Sequence, residues 1–243
     1  MSNSRKAPVV SMSGSPIYRH APEAAWKPAG GDESVEEIDA HVSEYLGEIE
    51  SVFHEIVSDT VHIDVHFVKP TEASPVCRLV TSGMSDLPMT TPDDADVPRF
   101  VELMTTLPGD WQLDEESLKD ENWYWPIHLL KFLARLPHKH STWLGWGHSV
   151  PNGDPAQPYA PSTKLSGALI LPSITVPEQF HVLTVNPQKT IHFFAVVPLY
   201  DEEMNLKLRS GTDELLDRFE SANVSDVIDP GRRNVGRRRF GLF

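Results

Sequence analysis

Leu79-Val-Thr-Ser-Gly-Met-Ser-Asp-Leu-Pro-Met89, followed by Glu102-Leu-Met-Thr-Thr-Leu-Pro-Gly-Asp-Trp111, decides how this chain is read. Each half begins as a strand-forming run and ends in a polar segment punctuated by Gly or Pro, so each reads as a strand leaving a core into a loop. Neither half carries reactive chemistry. A nucleophile elbow needs Gly-x-Ser-x-Gly between a strand and a helix, and a phosphate loop needs Gly-x-x-x-x-Gly-Lys-Ser/Thr. Both are absent. Gly83 is read as permitting an unusual backbone, and the hydroxyls from Thr81 to Ser85 as pairing loop amides. The pair of runs describes a scaffold with a shaped surface.

Upstream, Val61, Ile63, Val65 and Phe67 alternate with His62, Asp64 and His66, the period of a half-buried strand from Thr60. Pro70 to Pro75 make a turn, so Val76–Thr81 returns as a hairpin partner, and Phe100–Leu107 is a third strand stopped by Pro108-Gly109. Further upstream, Val35, Ile38, Val42, Leu46, Ile49, Phe53 and Ile56 fall at spacings of three and four, predicting one long amphipathic helix. Ser34 and Glu37 have capping-box spacing at its start. Downstream, Glu115–Asp120 suits a short helix, and Pro126 is placed in the first turn of a second one that runs to Pro137. Leu165–Leu171, His181–Val185 and Thr190–Pro198 read as strands, with Ile191–Val197 central and covered on both faces. Glu202–Leu208 and Thr212–Phe219 close the chain as helices, with Thr212 as N-cap of the second. Strands in blocks predict a single α+β (mixed α/β) domain with a mixed, largely antiparallel sheet flanked by helices.

The 243 residues suffice for one core. Residues 1–31, rich in Pro and Gly, are expected to be a flexible tail; 32–231 form the domain; and 232–243 form an Arg-rich tail. The net charge is −14, unevenly placed. Asp32–Glu55 holds nine acids and no Lys or Arg, whereas residues 232–243 hold five arginines and no acid. Without those five, 16 basic and 35 acidic residues leave −19. Such a body repels nucleic acid, attracts basic partners and favours solubility. The arginines suit an anion or a fold back onto residues 32–55. One cysteine, Cys77, excludes an intramolecular disulfide framework. No signal-peptide h-region or membrane-length apolar run is present, so a cytoplasmic protein is expected.

Three constellations merit weighing. On a strand, His62, Asp64 and His66 share one face at about 7 Å spacing, as a metal-dependent enzyme would need; a polar sheet face is the simpler reading, and no metal or cofactor is expected. His138 and His140 complement a helix C-terminus as cations. Trp143-Leu-Gly-Trp-Gly-His-Ser-Val-Pro-Asn-Gly153 hands a helix over to a long loop, and its aromatic and polar residues suit contact with a partner. Gly145, Trp146, Gly147, His148, Ser149 and Asn152 are therefore the candidate partner-binding residues. Trp143 is read as core, while Trp146 fits core and interface equally.

The chain closely resembles bacterial stand-alone Suppressor of fused domain proteins. The resemblance rests on Val61-His-Ile-Asp-Val65, on Leu79–Ser85 with Pro88 and Met89, and on Glu102-Leu103. It continues through Leu107, Pro108 and Trp111, through Trp125-Pro-Ile-His-Leu-Leu130, and through Gly145–Gly153. Val197-Pro198-Leu-Tyr200 with Glu203 and Asp226–Pro230 complete it. Within these motifs Asp64, Thr81, Gly83, Met84, Ser85, Pro88, Met89, Leu107, Pro108, Trp111, Trp125 and Pro198 are expected to shape the scaffold. The resemblance implies a mixed α/β domain that binds protein. Animal relatives hold a transcription factor inactive with a second domain that this chain is too short to contain. Bacterial relatives resemble immunity proteins or antitoxins that neutralise a toxin, often a nuclease. The reading is thus a non-catalytic binding protein with a toxin-like protein partner, and not a membrane or nucleic-acid binder. Its rivals are the metal-dependent enzyme and a general adaptor or homodimeric scaffold pairing through a sheet edge.

Overall fold

The computed structural model describes residues 9–19, 34–54, 61–93 and 96–237. Along them run β1 (Val9–Val10), β2 (Pro16–Ile17), α1 (Val35–Tyr45), β3 (Ile49–Phe53), β4 (Asp64–Val68), β5 (Val76–Ser82) and β6 (Phe100–Pro108). There follow α2 (Glu121–Lys139), β7 (Ser149–Pro151), β8 (Leu165–Leu171), β9 (Val182–Asn186), β10 (Lys189–Tyr200), α3 (Asp201–Ser210) and α4 (Thr212–Ser221). Strands β3 to β10 build one sheet in the order β3-β4-β5-β6-β10-β8-β7, and β9 pairs with β10 beside β8. All of its ladders are antiparallel except β6 with β10, where Phe100 faces Ile191 and Met104 faces Ala195. The mixed, largely antiparallel sheet expected from the blocks of strands is what the chain forms.

Side-chain alternation splits the core in two. On one face Leu79, Val101, Leu103 and Val196 meet the apolar stripe of α2, including Trp125, Leu130 and Leu133. Each such buried side chain contributes about 1.5–3 kcal/mol relative to exposure. On the other face α1 lays Ile38 and Val42 over Val80, Met104, Ile191 and Phe193. Helices α3 and α4 cover the end of β10 with Met204, Leu206, Leu215 and Phe219 against Val197 and Leu199. Among the described residues no helix is long and apolar enough to cross a membrane.

The structure departs from four local expectations. The long first helix stops at Tyr45: Gly47 takes φ +120°, and Ile49–Phe53 pairs with β4 as an edge strand. Apolar residues four apart fit a strand face as well as a helix stripe, so the periodicity ran on without a break. Ile56 and Thr60 lie outside the described residues. The Ser34 side chain makes no capping hydrogen bond. Asp120 caps α2 by accepting from the Asn122 amide at 2.9 Å, which puts Pro126 inside the helix and not in its first turn. Gly211 occupies the cap position of α4, with Thr212 already helical.

Both ends of the described chain pack on α3. Residues 9–17 form a small hairpin whose Ser13 amide donates to the Leu208 carbonyl at 3.1 Å. At the other end the described arginines Arg232 and Arg237 turn toward α3 and not toward the acidic segment. Arg232 enters the core beside α3, and Arg237 donates to Glu202 at 3.0 Å.

Candidate functional site

The Thr81–Met89 turn is built around a carboxylate that sequence reasoning passed over. Glu102, on β6, is fully buried. Its Oε2 accepts from the Thr81 hydroxyl at 2.6 Å, and its Oε1 accepts from the Ser85 hydroxyl at 2.6 Å and the Ser85 amide at 2.8 Å. Burial pushes its carboxyl up from the ordinary range, against the pull of those three hydrogen bonds. Thr81 Oγ also accepts from the Leu103 amide. The hydroxyls of the motif therefore chiefly serve a buried acid, and only in part backbone amides. Gly83 sits at φ +100°, where a Cβ would lie 1.9 Å from the His62 carbonyl oxygen, so no other residue fits between this turn and the start of β4. His138 closes the arrangement from α2, donating to the Met84 carbonyl at 2.8 Å. Burial lowers its pKa, so it serves as a neutral donor and not as the dipole-matching cation expected of it.

This knot supports the candidate loop. Met89 is buried, and its sulfur receives the Leu144 amide at 3.4 Å, while the Thr90 amide donates to the Thr142 carbonyl. Pro88 is exposed beside it, and Leu107 and Pro108 end β6. Trp111 packs edge-on against Trp123 and Trp125, and its indole N–H donates to the Trp123 carbonyl. Trp125 stacks on Tyr159, which fixes the far side of the same loop. Pro198 is buried in β10, and its carbonyl accepts from Arg232.

The loop itself is pinned by main-chain bonds to β8. The Gly147 amide donates to the Ile170 carbonyl, the Ile170 amide to the His148 carbonyl, and the Asn152 amide to the Ser166 carbonyl. Ser149 begins the short strand β7, and Asn152 Nδ2 donates to the Gln157 carbonyl at 2.7 Å. Gly147 holds φ +75°. The two tryptophans part company. Trp143 packs against the core and under His148, with ring centroids 4.1 Å apart, and Gly145 lies close to its ring. Trp146 stands out, 54% exposed. Burial, with the nearby Lys207 cation, lowers the His148 pKa to about 4, offset in part by a backbone hydrogen bond to Trp143. The N-terminal hairpin, with Val9, Val10 and Met12 exposed, docks on the same end of α3 that carries Lys207.

The His62, Asp64, His66 trio does not come together as expected. The ladder begins at Asp64, and His66 is buried, with Nε2 on the Ser82 hydroxyl at 2.7 Å and Nδ1 facing Asp39 at 3.0 Å. In its place His54, at the end of β3, reaches Asp64 Oδ2 at 2.9 Å, while His62 reaches Oδ1 at 3.0 Å. The pairing of Phe53 with Val65 sets His54 across from Asp64. Helix-like spacing over residues 49–53 hides that pairing in the sequence.

The family model of the Suppressor of fused protein (SUFU) matches residues 59–233. The fold is similar to a SUFU homologue from Neisseria gonorrhoeae, with TM-score 0.61, 15% identity, and 82% of this chain and 95% of that one covered. It is also similar to a chain of the Sufu-Fu complex, with TM-score 0.58, 15% identity, and coverage of 84% and 93%. Drosophila Suppressor of Fused aligns at TM-score 0.48 and 16% identity, over 71% of this chain and 42% of that one. A search of curated protein sequences returned no match. The matched segment runs from residue 59, ahead of β4, to Arg233 and takes in the Glu102 knot and the Trp146 loop, so the chain belongs to the Suppressor of fused protein family.

Proposed function

We propose that this chain is a non-catalytic protein-binding module of the immunity type, which neutralises a toxin domain in the cytoplasm by covering its basic surface. The observation that carries the reading is Trp146: a large aromatic side chain, 54% exposed, on a loop held to β8 through its flanking backbone. A pre-positioned aromatic loses little entropy on docking and is the kind of side chain that dominates binding energy. The charge supports the nature of the partner, since a chain of net charge −14 competes well for a surface built to attract phosphate. The Sufu-Fu complex shows a related fold engaged with a protein partner.

Co-expression with the product of the neighbouring gene tests this. A stable complex that weakens with salt, and relief of that product's toxicity, are expected. Trp146→Ala should weaken the complex by about 2 kcal/mol or more, roughly thirtyfold, while leaving the urea midpoint of the free protein near wild type. Unchanged affinity in Trp146→Ala moves the contact surface elsewhere. Failure to bind or neutralise any adjacent product sinks the immunity reading.

A further inference from the structure

His54, His62 and Asp64 bring two imidazole nitrogens and a carboxylate oxygen within 4.8 Å of one another, on the rim where the edge strand β3 meets β4. We propose that these three residues bind a divalent transition-metal ion of the zinc type. The donor set argues for that class: imidazole and carboxylate suit zinc and nickel, whereas calcium and magnesium want an all-oxygen shell. The geometry is near to hand. Ligands about 2.0–2.1 Å from a tetrahedral ion stand roughly 3.3 Å apart, and the two imidazole–carboxylate separations are 2.9 and 3.0 Å. In the metal-free arrangement each carboxylate oxygen faces one imidazole nitrogen, so the ion would take the place of the shared protons.

The three ligands differ in freedom, in a way that favours capture. Asp64 is 13% exposed and starts the β4 ladder, so it is a fixed anionic anchor. The His62 backbone is pinned by the close approach of Gly83 to its carbonyl. Both imidazoles remain open to solvent, at 68% for His54 and 55% for His62, and can close on an ion without disturbing the core. His66 stays outside, engaged by Ser82 and Asp39. Three protein ligands leave a fourth position for water or for a donor from another molecule. The ion would tie the end of an edge strand to its neighbour, and this site stands independently of the Trp146 surface.

The test titrates tag-free, chelator-stripped full-length protein with zinc chloride by calorimetry, and with cobalt chloride by visible absorption. One equivalent of zinc is expected, with a cobalt spectrum of low coordination number and no heat from magnesium. The His54→Ala/His62→Ala double variant and Asp64→Asn should each lose at least about tenfold in affinity. The exposed histidines make the double variant safe for folding, which its urea midpoint checks. Absence of stoichiometric zinc binding overturns the proposal. So does equal affinity in the double variant, which would assign the metal to other histidines.

Discussion

Ser85 closes on Glu102 twice, its hydroxyl and its amide both donating to the same carboxylate oxygen, at 2.6 and 2.8 Å. The Thr81 hydroxyl holds the other oxygen. Glu102→Ala strands all three donors and leaves a cavity, and should cost about 3–5 kcal/mol. Ser85→Ala should cost about 1–3 kcal/mol. Glu102→Gln keeps an acceptor for Ser85 but turns an amide donor toward Thr81, so it should fall below the alanine variant. Urea unfolding of the three variants gives the order directly.

Arg232 and Glu203 form a two-pronged ion pair in the molecule's interior. The guanidinium donates to both carboxylate oxygens, at 2.7 and 2.6 Å, and a further N–H reaches the Pro198 carbonyl. Glu203 is fully buried and also accepts from the Tyr200 and Val235 amides. Arg232→Ala leaves that acid buried without its cation and should destabilise by about 3–5 kcal/mol. Arg232→Lys cannot reproduce the fork and should fall between wild type and alanine. A double Arg232→Met/Glu203→Leu variant should be less destabilised than Arg232→Ala alone, measured by the same unfolding assay.

Gly83 tolerates no Cβ. Gly83→Ala must move either the turn or the His62 carbonyl it abuts, at a positive φ that alone costs of the order of 1–2 kcal/mol. The expected loss exceeds 2 kcal/mol, about what strain and displacement together imply. A thermal midpoint within 2 °C of wild type, roughly the shift from half a kcal/mol, would contradict it.

Half-buried His148 and buried Glu102 tilt stability in opposite directions with pH. His148, lowered from 6.5 to about 4, stays neutral in the folded chain while the unfolded chain takes up a proton. Its contribution is present above about pH 6.5 and is lost as pH falls toward 4, a change on the order of 3 kcal/mol. Glu102, raised by burial, contributes most below the ordinary carboxyl range, and that share is lost as pH rises through its folded value. His148→Gln should flatten the acid side of the stability profile, and Glu102→Gln the opposite slope. Comparing urea midpoints at pH 4.5, 5.5 and 7.5 separates them.

The core strands were legible because their signal is local. Leu165–Leu171 matches β8 residue for residue, and Phe100–Leu107 and Ile191–Val197 fall inside β6 and β10. Residues 49–53 were not, because Ile49 and Phe53 satisfy helix and strand spacing alike, and only Gly47 marked the break. The candidate loop was placed by its composition, and the structure separates Trp143 from Trp146. What stayed hidden depends on distant partners: Ser85 meets Glu102 across 17 positions, and Arg232 meets Glu203 across 29. No spacing rule links such pairs. Their meeting is a product of the sheet order.

The parallel β6–β10 ladder sets a schedule for synthesis. β6 pairs with β10 across 91 positions, as in the contact of Thr105 with Val196. At about 5–20 residues per second, β6 emerges from the ribosome roughly 5–18 s before its partner exists. Through that interval Val101, Leu103 and Met104 lie along an unpaired strand edge, the kind of template that recruits other chains. The centre of the finished sheet is thus its most vulnerable margin during birth, and the nascent chain should depend on chaperone cover until residue 200 is made.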